Sequence, residues 1–161
     1  TGFTKALDFD GQRLRMTRRS AIPNEGIVVV AWTLRPTPSG TRWQRWAAPA
    51  VTERTALLLA WDEAERWART PLPTDEALTA QLMPATSWKL FYFRENAWTN
   101  PLSSSGNVNT NTGGSANNNG NLGFTEAPPD GVRLVLAPGQ GTRLVGELTV
   151  DWVQPTLGAT R

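Results

Sequence analysis

Alternation between apolar and polar side chains in the first third of the chain limits what it can fold into. Three segments carry strand patterns: LDFDGQRLRMTRRS (7–20), GIVVVAWTLRP (26–36) and TRWQRWAAPAV (41–51). Turn-forming clusters separate them, Ile22-Pro23-Asn24-Glu25-Gly26 and Pro36-Thr37-Pro38-Ser39-Gly40. Parallel strands need long crossover connections, so short strands joined by Gly/Pro turns predict an antiparallel sheet. Gly11, between Leu7/Phe9 and Leu14/Met16, predicts a tight hairpin. Ile27 to Trp32 is apolar on both faces, as a central strand covered on each side requires.

Beyond residue 51 the period changes. Leu57, Ala60, Trp61, Ala64 and Trp67 recur at spacings of three and four, which predicts an amphipathic helix over 52–69, although Ala56 to Trp61 also suits a strand. Pro71 and Pro73 end that helix. Thr74-Asp75-Glu76 resembles an N-cap with an acidic first turn, so a second short helix is expected, with Leu78 and Leu82 on one face and Pro84 as its stop. SWKLFYFRE (87–95) is an aromatic strand, followed by a turn at Asn96 and more sheet at 97–99. Residues 101–123 contain seven asparagines and almost nothing apolar, so a long mobile loop is expected at about 102–123. GVRLVLAP (131–138) returns to the sheet. The last strand pattern places Leu144, Leu148, Val150 and Trp152 on one side. The expectation is one domain over 1–161, β-rich α+β, with a predominantly antiparallel sheet, one or two short inserted helices and a long Asn-rich loop.

The chain has no histidine and no cysteine. Zinc sites built on those residues, Ser-His-Asp triads and Cys-His nucleophiles are therefore excluded. Fourteen of the sixteen basic residues are arginine, Lys5 and Lys89 being the only lysines, and the net charge is only +2. No apolar run approaches the ~18 residues of a membrane span, and no signal peptide is present. The chain opens on Thr1 without an initiator methionine, so it is expected to be a piece of a longer or processed protein.

Few residues suggest chemistry. Asp62, Glu63 and Glu65 cluster on one helix beside Arg66 and Arg69, the pattern of a solvated, ion-paired face. Asp8-Phe9-Asp10-Gly11 starts like a calcium loop, but Arg13 and Arg19 stand where that loop needs its glycine and glutamate. The best candidate surface is Trp43 and Trp46 with Arg42 and Arg45, extended by Arg13, Arg15, Arg18 and Arg19 on a neighbouring strand. Aromatic and guanidinium groups together stack on bases or sugars and grip phosphates. The same residues also suit ordinary packing of arginine stems over sheet tryptophans. Trp61 and Trp67 are candidate subunit contacts.

Taken in order, LDFDGQRLRMTRRS, VVVAWTLR with RWQRW, SWKLFYFRENAWTNP and GVRLVLAPGQGTRLVGELTVDW resemble the soluble part of a minor pilin or minor pseudopilin. The J-type pseudopilin of type II secretion and the W-type minor pilin of type IV pili are the nearest in pattern. The resemblance leaves out residues 52–84 and 103–127, and the family's apolar N-terminal helix is not in this sequence. It implies a pilin-like fold, a structural role in a tip or assembly-priming complex and no catalytic residues; the calcium sites of some other pseudopilins have no matching acidic cluster in this sequence, and no metal or cofactor is expected. It also implies minor and major pilins or pseudopilins as partners, with a possible link to DNA uptake. The subunit would be anchored in the inner membrane through the missing helix, then periplasmic or extracellular in the filament. The alternative is an extracytoplasmic module that binds DNA or carbohydrate through the Trp/Arg surface.

Overall fold

A computed structural model describes residues 5–102 and 128–153. It contains strands β1 (Leu7–Phe9), β2 (Arg13–Arg19), β3 (Ile27–Thr37), β4 (Gly40–Ala47), β5 (Thr79–Arg94), β6 (Ala97–Thr99), β7 (Gly131–Pro138) and β8 (Leu148–Val153). Helix α1 spans Arg54–Arg69, and a 3-10 helix spans Pro73–Leu78. All strand pairings are antiparallel, in the order β1-β2-β3-β4-β5-β7-β8, with β6 folded back on β5.

Local chemistry sets the hairpins. Between β1 and β2 the Asp10 carboxylate accepts the backbone N–H groups of Gln12 and Arg13 at 2.9 and 2.7 Å, while Gly11 takes a φ of +95°. Pro38-Ser39 joins β3 to β4, with Gly40 at φ +106°. Gly26 has a φ of +118°, and a Cβ there would collide with the Val51 carbonyl, so only glycine fits.

The sheet curls into a half-barrel. Phe9 on β1 meets Trp88 on β5 edge-on at 5.3 Å, although three strands lie between them in the order. The bend falls where β5 changes neighbours: Thr79 to Pro84 pair with β4, and Ala85 to Phe93 pair with β7 across a bulge. Strands that pass from one sheet to another commonly turn at bulges. Pro84 is tolerated at this corner, and its carbonyl accepts the Gly139 N–H at 2.9 Å.

Two cores result, one on each face. On the outer, convex face α1 buries Ala60, Trp61, Ala64, Trp67 and Ala68 against Val29, Ala31, Trp46 and Ala48. The inner, concave face gathers Leu14, Ala85, Trp88, Leu90, Tyr92, Leu134 and Leu136, with Leu7, Phe9, Trp32 and Trp43 packed beside them.

Three expectations are corrected. The described residues are mostly antiparallel sheet, 51% strand and 18% helix, curled into a half-barrel, and this is not the α+β fold of a typical pilin. The second helix through Leu82 is replaced by the 3-10 helix, because Thr79 already pairs with Trp46 and the following residues continue along β4. The spacing of Leu78 and Leu82 mimics a helix face, but an open strand edge was there to be paired. Leu144 likewise lies before β8 rather than within it. The Asn-rich loop lies, from residue 103 onward, outside the described residues.

Candidate functional site

The pleat decides which candidate residues share a face. Opposed residues of antiparallel strands point the same way, and neighbours along a strand point opposite ways. Arg15 lies opposite Ala31, which lies opposite Trp46, so these three face α1. Trp32 lies opposite Arg45, and Leu34 opposite Trp43, so these four face the concave side. Trp43 and Trp46 are therefore on opposite faces of the sheet. The surface expected from Arg13, Arg15, Arg42, Trp43, Arg45 and Trp46 is not one surface.

Each member has its own setting. Trp46 is 1% exposed and stacks on Trp67 with ring centroids 6.4 Å apart. Trp43 packs against Trp88 at 5.9 Å. Arg15 donates to Asp8 at 2.8 Å, to Glu65 at 3.0 Å and to the Trp61 carbonyl at 3.3 Å, with its guanidinium over the Trp61 ring. Arg13 pairs with Asp10 at 2.8 Å. Arg42 lies opposite Arg35 on the α1 face, and Arg45 is exposed on the concave side. Trp61 and Trp67, expected as subunit contacts, are core residues under α1.

The acidic residues hold the fold together. Glu65 bridges Arg15 and Arg69. Asp75 is buried and bonded to both terminal nitrogens of Arg66 at 2.7 and 2.8 Å, and it also accepts the Leu72 N–H at 2.7 Å. The Arg66 bond holds the Asp75 carboxyl below the ordinary carboxylate range, although burial pushes it up. Burial also raises the Asp8 carboxyl, but its bonds to Arg15 and Lys5 outweigh that and leave it lowered. Burial lowers the Arg35 guanidinium, which donates to Gln44 and to the Trp67 carbonyl. Among the described residues no three carboxylates gather as a metal site would require.

The concave face contains a feature that the sequence reading did not anticipate. A cleft of about 410 Å³ opens there, lined by residues of β1, β2, β3, β4, β5, β7 and β8. Its walls are apolar, with Trp32, Trp43, Trp88, Leu90, Leu134 and Trp152 among them. Arg18 is the single charged residue in the lining. Leu14, Met16 and Arg18 follow one another on the concave side of β2, so the pleat brings the cation to the same face as the apolar wall. Arg18 donates to the Arg19 carbonyl at 3.0 Å and forms no ion pair among the described residues. The period of two along β2 was the available sequence signal, since it separates Arg18 from Arg13 and Arg15.

The end of the sheet is also apolar. β8 is the last strand in the order, with Val150 43%, Trp152 54% and Val153 68% exposed. Among the described residues no helix is long and apolar enough to cross a membrane. No protein-family model matches this chain, and no curated protein matches it significantly.

Proposed function

We propose that this chain is a non-catalytic structural subunit that works through protein–protein contacts, as a minor pilin or pseudopilin-like component of a filament tip or assembly-priming complex. The observation that carries the reading is the apolar outermost strand. β8 exposes Val150, Trp152 and Val153 beside an edge that no described strand covers. An uncovered edge with apolar side chains is a pairing site for another chain. Most other large apolar side chains of the concave face are buried or half-buried, so the row ending at Trp152 is what a partner would complete. The order of sequence segments that resembles minor pilins supplies the kind of assembly. The Trp/Arg surface behind the nucleic-acid or carbohydrate alternative is divided between two faces, which favours the assembly reading.

The test is the N-terminal sequence of the mature native protein by mass spectrometry. A methylated N-terminal residue followed by about twenty apolar residues, enough to span a bilayer, is expected. A native start at Thr1, or an ordinary cleaved secretory signal, overturns the pilin-class reading.

A further inference from the structure

We propose that the concave cleft binds a single-chain amphiphile with one anionic head, an acyl carboxylate, holding its tail among the tryptophans and its head at Arg18. The cleft shares Trp152 with the β8 contact proposed above, but it is tested by ligand binding and not by the mature N-terminus, so the two readings fail separately.

The cleft, at about 410 Å³, falls within the ~300–1,000 Å³ of small-molecule pockets, which are apolar with a few placed polar groups. Its tryptophans come from four strands: Trp32 on β3, Trp43 on β4, Trp88 on β5 and Trp152 on β8. Such walls accept an alkyl chain and offer little to a polar one. Trp152 is half-exposed, so the cleft has a rim through which a chain can enter.

Charge selects the head. Among the described residues no carboxylate lines the cleft, and Arg18 is its one cation. Arg13, Arg15, Arg66, Arg69 and Arg133 each pair with a carboxylate of this chain, whereas Arg18 does not among the described residues. Arg18 is exposed, and its face of β2 leads into the apolar wall. A planar guanidinium matches a carboxylate through two parallel hydrogen bonds. An apolar cleft with one cation at its margin that forms no ion pair among the described residues complements a molecule with a tail and one negative end.

Isothermal titration calorimetry of the full chain with dodecanoate, below the concentration at which it forms micelles, tests this. Dodecyltrimethylammonium provides the opposite head on the same tail. Saturable one-to-one binding of dodecanoate is expected, with the cationic amphiphile at least tenfold weaker. R18Q should weaken dodecanoate about tenfold. R45Q, which removes an exposed cation of the same face outside the cleft, should leave it unchanged. W152S should weaken both amphiphiles while circular dichroism stays that of the parent. No saturable dodecanoate binding, equal binding of the two amphiphiles, or equal loss in R18Q and R45Q overturns the proposal. So does sedimentation with anionic phospholipid vesicles without dodecanoate binding, which would assign the face to a membrane surface.

Discussion

Trp67→Ala separates a core role for this residue from a surface one. Trp67 is 1% exposed, stacks on Trp46 at an interplanar angle of 25°, and donates from Nε1 to Thr79 Oγ1 at 3.0 Å. The Arg35 guanidinium lies 5.3 Å from its ring centroid. Truncating a buried tryptophan to alanine costs about 3–5 kcal/mol through lost burial and the cavity left behind. Thr79 Oγ1 keeps its bond to the Asp75 carbonyl at 2.8 Å, so the lost indole contact orphans no hydroxyl. The Trp67 carbonyl still accepts from Arg35 at 2.7 Å, and the total stays within the range given by burial. Urea unfolding followed by circular dichroism reads the change. With a slope of about 2 kcal/mol per molar, the midpoint should fall by about 1.5–2.5 M. Leu59→Ala, on the same helix but 60% exposed, should shift it by less than about 0.3 M. A Trp67→Ala shift as small as the Leu59→Ala shift would refute the packing of α1 on the convex face.

Two further outcomes follow from the ion pairs. Asp75→Asn should cost about 1–3 kcal/mol at neutral pH, because it removes a charged partner from Arg66 in a largely buried place. The Asp75 carboxyl is depressed in the folded state, so its contribution is present above the unfolded value of about 3.9 and is lost as pH falls through the folded value. Urea midpoints measured at neutral pH and in acid should therefore converge for the two proteins in acid; a gap that persists there would sink the account. Arg15→Ala should destabilise by about 1–3 kcal/mol, since it breaks the links to Asp8, Glu65 and the Trp61 ring. Arg45→Ala, on an exposed side chain, should stay within about 0.5 kcal/mol. Equal thermal shifts for the two would contradict the division of these arginines between faces.

Much of the sheet was legible because its signals are local. Gly11, the Pro38-Ser39-Gly40 turn and the Glu95-Asn96 turn lie where the hairpins form, and the helix period over 52–69 matches α1 at Arg54–Arg69. The start of β5 was not legible. Leu78 and Leu82 have helical spacing, and only the tertiary presence of β4, which takes Thr79 to Pro84 as its partner, puts Leu82 in a strand while Leu78 ends the 3-10 helix. The curl was hidden for the same reason, since the Phe9–Trp88 contact joins residues far apart in sequence. The divided Trp/Arg surface could have been read directly. Residues 43 and 46 differ by an odd number, so a strand without a bulge between them places them on opposite faces.

That parity also places the arginines that have internal partners. Arg13, Arg15 and Arg35 are on the α1 face, where Asp10, Asp8, Glu65, Gln44 and a helix carbonyl engage them. Each fixes a hairpin or fastens α1 to the sheet. Arg18 and Arg45 are on the concave face, which supplies tryptophan, leucine and valine but no carboxylate partner for either among the described residues. A guanidinium beside apolar walls with no carboxylate partner among the described residues adds little to the stability of the fold, and it is open to an external anion. The chemistry open to this protein therefore lies on the concave side and along β8. On the convex side Arg13, Arg15, Arg35, Trp46, Trp61 and Trp67 hold the half-barrel together.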